Sequence, residues 1–135
     1  MKNKLLLLIT LILFMPFMVK ANEVKIDFEA SFGGNSYDEY ISVKQTSDGG
    51  YITVGSSTST DIEGLTNKGS RDAIIVKYDK DGNMLWQKNY GGSSPDQFTS
   101  VIETSAGGYV ATGISYSTDI EGITNKGRTD AIIIK

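Results

Sequence analysis

Two carboxylate pairs are the residues of this chain whose type and spacing come closest to a catalytic arrangement. Asp61 lies two positions before Glu63, and Asp119 lies two positions before Glu121. Paired carboxylates hydrolyse glycosidic bonds when they are held at the right separation. Both pairs stand in the same sequence context, whereas an active site normally occurs once per fold. The sequence therefore predicts that these four residues bind a ligand and do not catalyse a reaction.

Both pairs lie within long polar segments, residues 57–71 and 115–129, which are too long for simple hairpin turns. Long loops on a rigid scaffold often carry binding residues. Asn67, Asn125 and Tyr116 therefore join the carboxylates as predicted ligand-binding residues, Tyr116 because its counterpart in the other segment is not aromatic. A recent duplication that has not yet diverged would also explain the near-identity of the segments, and the sequence leaves both interpretations open.

The chain contains no histidine and no cysteine. Their absence excludes Ser-His-Asp and Cys-His nucleophilic systems, most zinc sites and disulfide bonds. Residues 79–83 look like the start of an EF-hand calcium loop, but such a loop needs glycine and glutamate where this chain has Met84 and Tyr90. These residues therefore predict a hairpin turn, and the sequence predicts neither a metal site nor a cofactor.

Several aromatic side chains could stack on sugar rings, among them Trp86, Tyr90 and Tyr109. Aromatic residues more often fill a core or an interface. Trp86 shares the alternation of an apolar strand face, so the sequence predicts that it packs within the fold.

The first 21 residues have the layout of a secretory signal peptide. Lys2 and Lys4 precede an apolar run over 5–19, and Ala21 ends a sequence suited to signal peptidase. The apolar run is shorter than the roughly 20 residues that span a bilayer, and an uncleaved anchor is the alternative. We expect cleavage after Ala21 and a secreted or cell-surface protein that has no membrane span.

The remaining chain would carry 10 basic and 16 acidic residues, a net charge near −6. Nucleic acids and anionic membranes require clustered Lys and Arg, and no basic run is present. The charge therefore favours neither as a partner.

A repeat of 58 residues dominates the sequence. Residues 33–77 align with 91–135 without a gap, and 28 of the 45 aligned pairs are identical. The same offset relates Ile26, Phe28 and Phe32 in character to Met84, Trp86 and Tyr90. The chain is thus divided into repeat 1 (33–90), repeat 2 (91–135, without its last strand) and a segment, 22–32, that is expected to be the closing strand of a preceding or shared blade.

Each unit is predicted to contain four short antiparallel strands. Paired glycines such as Gly49-Gly50 favour tight hairpins, and residues 73–76 form an apolar run typical of a buried strand. In the first unit the predicted strands cover 40–46, 51–56, 73–76 and 84–90. The chain is therefore expected to be all-β.

Four strands per repeat of this length are typical of a β-propeller blade. A single such sheet cannot cover both of its apolar faces, so blades stack. Propellers contain about four to eight blades, and two are encoded here. The prediction is two propeller-like blades, either part of a longer protein or completed by a homo-oligomer, with a β-sandwich or an open β-solenoid as the structural alternative.

The motifs resemble bacterial secreted β-propeller-type repeats that contain an Asp-Gly-Gly-Tyr hairpin. That hairpin falls at 48–51, an Asp-Ala-apolar strand follows from Asp72, and a Gly-Asn-x-x-Trp motif falls at 82–86. The second copy departs from the pattern, since Ala106 replaces the aspartate of the hairpin. The resemblance covers nearly all of the chain after residue 21 and implies export, while proteins with such repeats have varied roles and some are attached to carbohydrate-active enzymes.

These observations predict a secreted or cell-surface module that binds a glycan or an extracellular protein, or serves as a scaffold, without catalysis. The alternative is a fragment or accessory domain of a larger extracellular carbohydrate-active hydrolase. Binding through repeated loops predicts equivalent sites in each blade, whereas the alternative predicts cleavage of a glycan.

Overall fold

A computed structural model of the protein describes residues 25–135. These residues form seven β-strands, each five to eight residues long, and no helix. The predicted all-β class is therefore confirmed for the described residues. The strands are β1 (Asp38–Gln45), β2 (Tyr51–Ser57), β3 (Asp72–Tyr78), β4 (Met84–Tyr90), β5 (Asp96–Glu103), β6 (Tyr109–Ser115) and β7 (Asp130–Ile134).

The strands form two antiparallel sheets with neighbours in chain order. The first sheet has the order β1-β2-β3-β4, and the second has the order β5-β6-β7. Each of the three strands of the second sheet lies 58 positions after a strand of the first, so the sequence repeat is also a structural repeat. Neither sheet closes on itself.

The repeat extends to irregularities of the backbone. The pairing of β1 with β2 shifts between Tyr40 and Ser42, and the pairing of β5 with β6 shifts between Phe98 and Ser100. Gly55 sits beside the first shift, where an added Cβ would collide with the carbonyl oxygen of Glu39. The glycine is therefore required for the close approach of the two backbones at this bulge.

The core lies between the two sheets. One face of the first sheet contributes Ile52, Val54, Ala73 and Ile75, and the facing side of the second contributes Phe98, Val101, Ala111 and Ile132. Each face is apolar because strand side chains alternate between the two sides of a sheet. The sheets of the two repeats thus bury each other's apolar faces, as the repeat pattern predicts.

Residues 25–37 contain no strand. The segment nevertheless lies on the first sheet, since the Phe28 ring is 5.5 Å from that of Tyr51 and the Phe32 ring is 5.7 Å from that of Tyr40. The closing role expected of 22–32 remains a prediction. The expected signal peptide, residues 1–21, lies outside the described residues, and within 25–135 the structure has no helix that could traverse a bilayer.

Candidate functional site

The aspartate of each predicted carboxylate pair holds a neighbouring turn. Asp61 Oδ1 accepts a hydrogen bond from the Asn35 N–H at 2.7 Å, and Asp119 Oδ1 accepts one from the Ser93 N–H at 2.9 Å. The Ser93 N–H also holds the pKa of Asp119 below its usual value. A catalytic role for either aspartate would therefore compete with a bond that positions the start of its own repeat.

Glu63 and Glu121 complete the pairs and are exposed. The backbone carbonyl of Glu63, unlike its side chain, has a structural partner, because it accepts a hydrogen bond from the Gln87 amide. The two glutamate carboxylates therefore face solvent, where a ligand could reach them.

The asparagines of the long segments close those segments onto their own sheets. Asn67 donates to the Ser57 and Ser59 carbonyls at 3.4 Å and accepts from the Gly69 N–H at 3.1 Å. Asn125 repeats this arrangement, accepting from the Gly127 N–H at 2.9 Å. The repeated pattern gives both asparagines a role in forming the loop.

Tyr116 lies where the two sheets meet. Its N–H donates to the Pro95 carbonyl at 3.0 Å, and its side chain is exposed. With Pro95, Gln97 and Arg71 it lines a cavity of about 170 Å³. The structure therefore brings Tyr116 to a basic residue of the first repeat, apart from the loop residues that were grouped with it in the sequence.

Two buried aspartates flank Gly91 at the junction between the repeats. Asp72 Oδ2 accepts hydrogen bonds from the Lys68 N–H at 3.2 Å and the Asn89 amide at 2.6 Å, so Asp72 caps a backbone N–H at the start of β3. Burial raises the pKa of Asp72, and the nearby Asp96 acts in the same direction. Among residues 25–135 no group of three potential metal-ligating side chains is assembled.

A concave surface between the two repeats forms an aromatic cleft, which we define by Trp86, Tyr90, Phe98 and Tyr109. It encloses about 390 Å³, and the lysines at positions 88 and 135 also line it. The Trp86 and Tyr109 rings are 5.8 Å apart and inclined at 52°. Trp86 packs against the core, as its alternation predicts, but it also forms a wall of an open cavity.

A second cleft occupies the equivalent place one repeat earlier. Phe28 and Tyr51 correspond to Trp86 and Tyr109, and their rings are 5.5 Å apart at 55°. This cleft encloses about 490 Å³ and is also lined by Tyr40, Val43 and Tyr78. Sequence reasoning missed both clefts, although the recurrence of aromatic pairs 58 positions apart was the signal that could have found them.

Comparison with known proteins adds no assignment to this geometry. No family model matches the chain, and no curated protein matches it. The resemblance to secreted β-propeller-type repeats therefore remains an expectation from the motifs, and the functional argument depends on the clefts and loops themselves.

Proposed function

We propose that the protein is a non-catalytic binding module of the secreted or cell-surface β-propeller type, and that its ligand is a glycan held in the aromatic cleft. The observation that carries this proposal is the cleft itself, an open cavity with Trp86 and Tyr109 as walls. Ligand sites are typically concave, largely apolar and equipped with a few polar groups. The aromatic cleft meets all three criteria.

The lining of the cleft suits a sugar better than a purely apolar ligand. The indole of Trp86 and the phenol of Tyr109 offer flat apolar surfaces for the C–H face of a sugar ring. The ammonium groups of Lys88 and Lys135 can donate hydrogen bonds to hydroxyl or carboxylate oxygens at the rim. An acidic or strongly hydroxylated glycan is the ligand class that uses both features.

The position of the acidic residues supports a binding role without catalysis. The cleft lining contains no carboxylate among its described residues, and the loop aspartates are engaged by backbone N–H groups. Acid–base cleavage of a glycosidic bond requires two carboxyl groups beside the bond. A glycan in this cleft would therefore be held intact.

A glycan array followed by calorimetric titration tests the proposal. Trp86→Ala should weaken binding of the best glycan about tenfold or more, because one stacking wall is lost. Leu85→Ala is the matched control, since Leu85 is exposed on the same strand and does not line the cleft. Circular dichroism would establish that both variants remain folded.

Three other outcomes would count against the proposal. The absence of any bound glycan would favour a scaffold or a protein partner. Equal losses in the two variants would place the ligand elsewhere, with the loops of Glu63 and Glu121 as the next surface to test. Release of reducing ends from a bound glycan would favour the hydrolase-associated alternative.

A further inference from the structure

β4 belongs to the first sheet through hydrogen bonds to β3, yet it contacts the second sheet through its aromatic side chains. Trp86 meets Tyr109, and Tyr90 meets Phe98 at 5.7 Å. One strand thus completes one sheet and packs on the next.

The segment 26–32 already makes half of these interactions. Phe28 meets Tyr51 and Phe32 meets Tyr40, and each of these four residues precedes its β4, β5 or β6 counterpart by 58 positions. The segment therefore lies on the first sheet as β4 lies on the second. It lacks the other half of the β4 arrangement, a strand to pair with, among the residues that the structure describes.

The strand that would offer this pairing is β7. It is the counterpart of β3, and in the described part of the chain its only hydrogen-bonded neighbour is β6. β3 uses its equivalent edge to bind β4. An unpaired strand edge readily accepts an added strand.

We propose that the segment 26–32 of one copy pairs antiparallel with β7 of a second copy. The pairing of β3 with β4 fixes the register, because Ala73 lies opposite Tyr90 and Lys77 lies opposite Trp86. Transferred by the repeat offset, Ala131 lies opposite Phe32 and Ile133 lies opposite Ala30. The contact joins two different surfaces, so it links copies head to tail.

The sheet faces next to these edges support the same contact. Val43 on the outer face of the first sheet is 57% exposed, and Ile133 on the outer face of the second sheet is 69% exposed. Their counterparts Val101 and Ile75 are buried where the two sheets of one copy meet. Head-to-tail contact between copies would bring the two outer faces together and bury them in the same manner.

If the segment 26–32 follows the arrangement of β4, it cannot pair with β7 of its own copy. In that precedent a segment packs on the sheet that follows its own sheet, and 26–32 packs on the first sheet of its copy. β7 belongs to the second sheet, whose inner face is already covered by the first. A second copy carries, in its segment 26–32, the β4 side-chain arrangement without a strand partner among its described residues, and this matches the unpaired edge of β7.

A cysteine crosslink tests the register directly, since the chain has no cysteine of its own. The double variant Ala30→Cys with Ile133→Cys places two exposed positions opposite each other, where Cβ atoms about 4.5–5.5 Å apart come close to the separation of a disulfide. Oxidation should give disulfide-linked multimers. The control is Ser31→Cys with Ile133→Cys. In this pair the two side chains point to opposite faces of the extended sheet, so it should crosslink several-fold less.

An association measurement on the expressed and purified protein tests the affinity between copies. Ala30→Pro removes an N–H from the pairing segment and should weaken association about tenfold or more in analytical ultracentrifugation. Ala30→Val keeps the N–H and should associate like the unaltered chain. The residue is exposed and outside the strands of the structure, so both variants should fold.

Each alternative outcome overturns the proposal. A chain that stays monomeric through the dilution series, or crosslinks that form only within one chain, would exclude pairing between copies. Equal crosslinking by the two cysteine pairs would show that the contact lacks this register. None of these outcomes bears on glycan binding by Trp86, so this inference and the proposed function fail separately.

Discussion

β1 and β5 are the same strand of the repeat in two different surroundings. Tyr40 of β1 is 38% exposed, whereas Phe98, its counterpart in β5, is fully buried against the first sheet. The residue types differ little, so the neighbouring sheet accounts for the difference in burial. Each repeat unit therefore has an apolar face that only another unit can cover.

The largest expected difference between the two strands comes from their aromatic residues. Phe98→Ala should lower the free energy of unfolding by about 3–5 kcal/mol, as is usual for a fully buried phenylalanine. Tyr40→Ala should cost less than half as much, through loss of its hydroxyl contact with Tyr78 at 2.6 Å and of partial packing. Urea denaturation of both variants measures the difference, and equal losses would contradict the role assigned to the neighbouring sheet.

The valines of the same strands should show a smaller contrast. Val101 is 1% exposed, and Val101→Ala should cost about 1–3 kcal/mol because two buried methyl groups are lost. Val43→Ala should change stability by less than about 0.5 kcal/mol in the isolated copy. If copies associate as proposed, the effect of Val43→Ala should grow with protein concentration, which a concentration series of melting curves would show.

The hairpins differ between repeats by one ion pair. The buried Lys77 ammonium is 2.9 Å from Asp48 Oδ2, and the second repeat has Ala106 at the aspartate position. The Thr46 hydroxyl, with help from Lys77 and the Gly50 N–H, holds the pKa of Asp48 well below its usual value. Asp48→Ala should therefore destabilise the protein at neutral pH, because it removes the carboxylate partner of a buried ammonium group.

The pH dependence of this effect has a definite sign. A carboxyl group whose pKa is depressed on folding contributes stability above its unfolded value near 3.8, and this contribution is lost as the pH falls through the lower folded value. The gap between the unaltered chain and Asp48→Ala should therefore narrow in acid unfolding experiments below about pH 3.8. Ala106→Asp introduces the carboxylate at the equivalent position of the second repeat, where Lys135, the counterpart of Lys77, is exposed; it should change stability by less than about 0.5 kcal/mol and serves as the control.

The smallest expected effect is at Asp72, which is buried, unlike its partly exposed counterpart Asp130. Burial raises the pKa of Asp72, so the stability of the folded state is fully retained below the unfolded value of 3.8 and is reduced as the pH rises through the folded pKa. Asp72→Asn should thus become more favourable relative to the unaltered chain as the pH rises. Urea titrations at several pH values measure this trend, and a stability difference that does not change with pH would count against burial as its cause.

The all-β class and the strands were predictable because their signals are local and occur twice, whereas the propeller-like arrangement stays a prediction. Paired glycines, the apolar run at 73–76 and the 58-residue offset indicated the strands and the contact between the two repeats of the chain. Residues 26–32 form no strand in the structure, because strand hydrogen bonds need a partner that the local sequence does not provide, and their closing role stays a prediction. Phe28 and Phe32 of this segment still pack on the first sheet, since this packing needs no strand hydrogen bonds.

The candidate site was less predictable, for a reason that concerns distance along the chain. The bond from Asn35 to Asp61 spans 26 residues, and the contact of Trp86 with Tyr109 joins different sheets. Neither arrangement follows from the spacing within one loop. The sequence therefore identified loop residues that hold the framework, while the cleft became visible only when the two sheets were placed together.

The position of β4 has a mechanical consequence. Its hydrogen bonds hold it to β3, while Trp86 and Tyr90 hold it to the second sheet. A force that separates the two sheets must either strip β4 from its hydrogen-bonded neighbour or pull both rings from their contacts. Stretched along its length, an array of such units should consequently yield in steps that each involve two adjacent repeats.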